Sequence, residues 1–177
     1  RFLLKKNHIS FQLTPNLCLD ETFSEHIPTV RGQVIDCAIR KAIASSPNIN
    51  GWVLSADTIV VLNNTIFGKP DSFEQAFSML SALSNHTHHV ITAFCLMHSF
   101  KNTYFYRSHL SSIAFNKLSD GDISHYLSQT SFLDKAGSYN IIECPNHFIK
   151  KIDGDISSIM GLPIFLLKKI LKKIHYL

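Results

Sequence analysis

The sequence predicts an α/β fold in a single domain, and three observations carry that expectation. Runs with strand character alternate with runs of helical period along most of the chain. Hydrophobic residues make up 45% against 17% charged, which excludes a disordered tail or a collagen-like fibre. A length of 177 residues suits one domain with a sizeable core that needs neither disulfide nor metal staples.

Phe11 to Leu19 (FQLTPNLCL) partly alternates apolar and polar residues and reads as a strand that delivers Asp20 and Glu21 to a loop. From Val30 to Ala44, Val30, Val34, Cys37, Ala38, Ile39 and Ala42 recur at helical spacing, and Ser45-Ser46-Pro47-Asn48 stops the helix. Trp52 to Leu62 (WVLSADTIVVL) has the composition of a buried strand, and Asn63-Asn64 suits a hairpin turn into Thr65-Ile66-Phe67. A Gly68-Lys69-Pro70-Asp71 turn follows, and Ser72 caps a helix through Leu83 with Glu74 in its first turn. Val90–Phe100 and Phe105–Phe115 read as two more strands, Ser119–Leu127 as a short helix, and Ile141–Ile152 as a last strand pair. Pro163 then opens a terminal helix whose Ile164, Leu167, Ile170, Leu171 and Ile174 oppose Lys168, Lys169, Lys172 and Lys173.

Seventeen Lys and Arg against 13 Asp and Glu leave a formal charge of +4, too small to argue a nucleic-acid partner. The longest near-apolar run, Val90 to Met97, falls far short of the roughly 20 residues that cross a bilayer, so no membrane is expected. Nor does the start of the chain, with Lys5-Lys6 followed by polar residues, have the form of a signal peptide. Cys18, Cys37, Cys95 and Cys144 lie far apart with no Cys-x-x-Cys pair, as buried thiols of a reducing cytoplasm do.

Asp57 stands out, because it interrupts a strand that is otherwise apolar, and an uncompensated buried carboxylate costs several kcal/mol. Its small neighbours Ser55, Ala56 and Thr58 leave room for a metal ion or a phosphate; a structural turn or a buried ion pair is the alternative. Lys69 is presented from a stiff Gly-Lys-Pro turn that suits an anion, against the plainer reading of a solvated turn lysine. Asp134-Lys135-Ala136-Gly137 and the helical Lys41 leave the same two readings open. Asp153-Gly154-Asp155 lacks the further acidic ligands of a calcium loop and reads as a turn. His86, His88 and His89 lack zinc-ligand spacing and read as a loop cap or solvated cluster. Packing on the core explains the terminal lysine-rich helix without a membrane surface.

Five blocks recur in a recognisable order: Ser55-Ala56-Asp57-Thr58 with Val60-Val61; Gly68-Lys69-Pro70; Ala76 to Thr92 through Met79-Leu80, Leu83-Ser84 and His88; Asp134-Lys135-Ala136-Gly137 with Tyr139 and Ile141; and Ile152-Asp153-Gly154-Asp155 with Met160-Gly161-Leu162-Pro163. Together they closely resemble the Maf family over nearly the whole chain. The resemblance implies a cytoplasmic nucleoside triphosphate pyrophosphatase that releases pyrophosphate and a nucleoside monophosphate with a divalent metal, Mg²⁺ or Mn²⁺. It also implies an elongated mixed sheet with flanking helices in two lobes around a central cleft, as in inosine-triphosphatase-like folds, commonly as a homodimer.

Carried over residue by residue, Asp57 matches the family's Ala-Asp-Thr carboxylate, the expected base or metal ligand. Lys41, Lys69 and Lys135 match expected phosphate-binding lysines, and Asp20 and Glu21 an acidic pair expected to share the metal with Asp57. Ala-Asp-Thr and Asp-Lys-Ala-Gly look like the branch acting on dTTP and UTP, whereas relatives preferring 7-methyl-GTP tend to show Ser-Asp-Gln and Asp-Cys-Ala-Gly. The family opens with a strand and a Ser-x-Ser-Pro-Arg-Arg phosphate loop, and Arg1 stands at or just past that Arg pair, so this chain is expected to lack both. Ile142 replaces a usual Gln and Ser158 a usual Asn. The absent loop and Ile142 favour the rival reading, a non-catalytic nucleotide-binding or division-regulating module.

Overall fold

The structure, a computed structural model, describes residues 1–18, 22–24, 26–47, 49–101 and 103–177. The Leu19, Asp20 and Glu21 of the sequence reading lie outside them. In chain order the described elements are α1 (Phe2–Lys6), α2 (Val30–Ser45), β1 (Trp52–Leu62), β2 (Thr65–Phe67), α3 (Phe73–Leu83), β3 (Thr87–His98) and β4 (Thr103–Phe115). They continue with α4 (Asp120–Gln129), β5 (Ile149–Asp153), α5 (Ile156–Ile159) and α6 (Ile164–Lys173). The fold is α/β, with helices flanking one sheet in the order β2-β1-β3-β4-β5. Against the expected mixed sheet, the pairing is antiparallel, as at the edges β1 with β2 and β4 with β5.

Two compact units share these strands. One comprises Arg1–Asp57, Thr92–His109 and Ile156–Leu177. Its α2 starts at a Thr29 cap, whose Oγ1 accepts from Gly32 N–H at 3.1 Å. β1 divides its side chains by the period of two: Trp52, Leu54 and Ala56 pack against a core built by α1 and α6, while Ser55 and Asp57 reach α2 on the other face. α6 buries Ile164, Leu167, Ile170 and Leu171 and exposes Lys169, Lys172 and Lys173, so its apolar face is taken up by the core. Among the described residues no helix is long and apolar enough to cross a membrane.

The other unit comprises Thr58–Ile91 and Leu110–Asp155. The β1–β2 hairpin turns through Asn63 and Asn64 with φ of 48° and 67°, left-handed values that asparagine tolerates better than most residues. Ser72 caps α3 by accepting from Gln75 N–H, and Ser119 with Asp122 forms a reciprocal capping box on α4. α3 and α4 pack together over buried Leu80, Leu83, Ile123 and Leu127. Asp153-Gly154-Asp155 is a turn, with Asp155 N–H donating to Ser111 Oγ at 3.2 Å.

Two strand expectations fail. Phe11–Cys18 has no regular structure and is mostly exposed: Pro15 interrupts any ladder, and Cys18 N–H donates to Asn16 Oδ1 within the segment. Ile141–Ile152 yields one strand instead of two: Asn140 Oδ1 accepts from Ile142 N–H and the Asn140 carbonyl from Cys144 N–H, so the backbone turns before β5 begins. Two short helices, α1 and α5, have no sequence counterpart because they are too short to display a period.

The histidines separate. His86 Nδ1 meets the Ser84 carbonyl at 2.8 Å, and exposed His89 meets Ser112 Oγ at 3.0 Å. His88, expected in the same solvated or capping group, is fully buried instead, because strand alternation turns it inward. Its Nε2 lies 2.8 Å from Tyr139 Oη, its ring stands edge-on to Phe115, and Nδ1 has no partner among the described residues. Burial, helped by His89, pushes the imidazole down to about 4.

An unfolded chain protonates such a histidine near pH 6.5, so between about 6.5 and 4 the unfolded state holds more protons than the folded one. The stability held by neutral His88 is therefore complete above about pH 6.5 and lost as pH falls toward 4, by about 3 kcal/mol in all. Urea unfolding of wild type and His88→Phe at about pH 7.5 and 4.5 checks this. The variant should lose clearly less stability on acidification, and equal losses in both proteins would show that His88 is not the group responsible.

Candidate active site

Asp57 sits where the apolar run of β1 is broken, and the second unit's part of the chain begins at Thr58. Its carboxylate is compensated by Lys41, one turn beyond Ala38 on α2, whose Nζ donates to Asp57 Oδ1 at 2.6 Å. Both side chains are mostly buried, at 13% and 14% exposure, so the pair is desolvated well beyond a surface ion pair. Oδ2 receives no side-chain donor among the described residues. Other cations of α2 are engaged elsewhere: Arg40 Nε bonds Asp36 at 2.8 Å and Arg31 Nε bonds Ser108 Oγ at 2.6 Å. Beside the ion pair, Ser55 Oγ donates to the Ala38 carbonyl at 2.5 Å.

The second unit assembles another charged group. Lys135 Nζ donates to Asp134 Oδ2 at 2.7 Å. The Asp134 carboxyl is held below the usual range first by that hydrogen bond, against its slight burial, with the charges of Lys135 and then Lys69 adding to it. Lys69, exposed in the turn after β2, and Lys135, half-buried, thus share one field around Asp134. Backbone geometry brings them together: Gly137 N–H donates to the Gly68 carbonyl at 3.0 Å. Gly137 has φ of +68°, and a Cβ there would lie 3.0 to 3.2 Å from the Val60 side chain. Buried Tyr139, bonded to His88, anchors the far end of this loop, and Tyr126 Oη accepts from Asn140 N–H at 2.9 Å.

The site residues named from the sequence therefore form two groups: Lys41 with Asp57 in one unit, and Lys69 with Lys135 in the other. Ile142 is 61% exposed, whereas Ser158 is fully buried in α5 and its carbonyl accepts from Thr92 Oγ1 at 2.7 Å. Burial pushes the Cys95 and Cys144 thiols up to about 11 and about 12, which suits structural cysteines. Sequence reasoning gave Ser55 no role beyond its small size and did not foresee the Lys135–Asp134 bond. The available signals were Ser55's place two residues before Asp57 on the same strand face and Asp134's adjacency to Lys135.

Among the described residues no group of three or more His, Cys, Asp or Glu could hold a metal ion. A single carboxylate oxygen, Asp57 Oδ2, suits an Mg²⁺-type ion that draws most of its ligands from phosphate and water and does not suit a protein-built cage.

The family described as Maf-like protein matches residues 1–174. The chain belongs to the Maf family. It is 38% identical to the dTTP/UTP pyrophosphatase of Shouchella clausii (strain KSM-K16), over 97% of this chain and 88% of that protein. Identity to the dTTP/UTP pyrophosphatase of Bdellovibrio bacteriovorus is 34%, over 97% of this chain and 91% of the relative. The protein of that name from Fusobacterium nucleatum is 40% identical over 81% of this chain and 76% of its own. Of the Maf motif residues, Gly137 has a structural reason to be glycine that is independent of chemistry. Gly137→Ala should cost about 1 to 3 kcal/mol through its positive φ and its contact with Val60. Thermal melting reads this as a fall of several degrees, and an unchanged midpoint would remove the packing argument.

Proposed function

We propose that this protein is a nucleoside triphosphate pyrophosphatase acting on dTTP- and UTP-type nucleotides, hydrolysing them to the monophosphate and pyrophosphate. The observation that carries the reading is the desolvated pair of Lys41 and Asp57, in a Maf chain whose relatives bear the name dTTP/UTP pyrophosphatase. A water attacks the α-phosphorus, the bond from that phosphorus to the oxygen bridging to the β-phosphate breaks, and pyrophosphate leaves. Asp57 Oδ2 accepts the proton of the attacking water or holds a divalent cation, while Lys41 keeps Oδ1 in place and lends positive charge to the phosphates. A bound Mg²⁺ or Mn²⁺ supplies further neutralisation of charge on the phosphate oxygens, with Asp57 its ligand among the described residues and Asp20 and Glu21 the further candidates. Lys69 and Lys135 are, in this reading, the phosphate-binding lysines of the second unit, where Lys135 donates to Asp134 and the charge of Lys69 acts on the same carboxyl.

The test is pyrophosphate release from dTTP, UTP and 7-methyl-GTP with Mg²⁺ or Mn²⁺. Faster release from dTTP or UTP supports the proposal, faster release from 7-methyl-GTP moves the protein to the other branch, and nucleotide binding without turnover favours the non-catalytic module. Asp57→Asn keeps the side-chain shape and should lower turnover by on the order of 10²-fold or more while the protein still folds. Near-normal turnover in that variant would place the catalytic carboxylate elsewhere, with Asp20 and Glu21 the next to replace.

A further inference from the structure

Resting on the catalytic reading above, we infer that Ser55 is a positioning residue that sets where Lys41 meets Asp57. Ser55 and Asp57 lie two residues apart on β1 and so project from the same strand face. Ala38 and Lys41 lie three residues apart on α2 and so share a helix face. Two contacts join these faces in one register: Ser55 Oγ to the Ala38 carbonyl at 2.5 Å, and Lys41 Nζ to Asp57 Oδ1 at 2.6 Å.

The Ala38 carbonyl lies in the interior of α2, where carbonyls are ordinarily occupied by the helix's own ladder, so the Ser55 hydroxyl makes an added bond to it. A serine in a strand flanked by apolar residues buys little in β-propensity. What it does here is pin one turn of the helix to the strand next to the catalytic carboxylate. A lysine side chain has four rotatable bonds and samples many positions unless its base is fixed. With the base of that arm held by Ser55, the ammonium stays on Oδ1 and leaves Oδ2 for the water proton or the cation.

Three measurements separate this inference from the reading beneath it. Ser55→Ala should lower kcat for dTTP by roughly 5- to 10-fold with KM changed less than about twofold, and Ser55→Thr, which keeps the hydroxyl, should restore most of the loss. In a Lys41→Met background, Ser55→Ala should cost little further, because its effect passes through Lys41. The third readout needs no catalysis: competitive labelling of lysines with an amine reagent, read by mass spectrometry, should show Lys41 several-fold more reactive in Ser55→Ala, with Lys69 and Lys135 unchanged. An inactive wild type whose Lys41 labelling still responds to Ser55→Ala would sink the proposed function and leave the positioning intact. Unchanged Lys41 labelling, or an equal kcat loss with and without Lys41, would overturn the role given to Ser55.

Discussion

A carboxylate placed inside an apolar strand is tolerated only when a cation or donor meets it, and in this protein Lys41 meets Asp57. Much of the first unit serves that encounter. The Thr29 cap sets where α2 begins, the Arg40–Asp36 pair occupies a neighbouring charge, and the opposite face of β1 is held by the core of α1 and α6. With both faces of the strand engaged, Asp57 has little freedom to turn away from the helix. Burial of most of both side chains makes the attraction stronger than it would be in water and makes loss of either partner costly.

In the second unit the constraint is spatial. Glycine at position 137 lets a backbone amide reach the Gly68 carbonyl where any side chain would crowd Val60, and the lysines of two separate turns are brought to one carboxylate. Tyr139 and His88 hold the loop from beneath, leaving a ring nitrogen with no partner among the described residues. A buried, half-satisfied imidazole of this kind is tolerated because the aromatic contacts with Phe115 and Tyr139 fill the space around it.

Strong local signals in the sequence translated into structure. Ser72 and Ser119 cap the helices they head, Asn63-Asn64 makes its hairpin, and the period of α6 buries the face it marks. Phe11–Cys18 misled because alternation predicts a strand only where a partner and a buried face exist, and Pro15 removes a donor midway. Asp57 was visible as a polar break in an apolar run, but its partner was not, since helix-to-strand packing leaves no spacing to count between Lys41 and Asp57. A hydroxyl bonded to a backbone carbonyl, as in Ser55 to Ala38, has still less of a signature, because the acceptor is common to every residue. Asp134 could be read beside Lys135, but its field on Lys69 depended on the fold.

The amide-to-carbonyl bond between Gly137 and Gly68 also bears on when this part of the molecule takes shape. The segments it joins are distant in sequence, with α3, β3, β4 and α4 between them, so the loop entropy of closing that span must be overcome before the contact returns any energy. The contact that joins the turns of Lys69 and Lys135 therefore carries a large loop-closure cost. A chain emerging from the ribosome has no such pair of lysines around one carboxyl until its Asp-Lys-Ala-Gly segment is out.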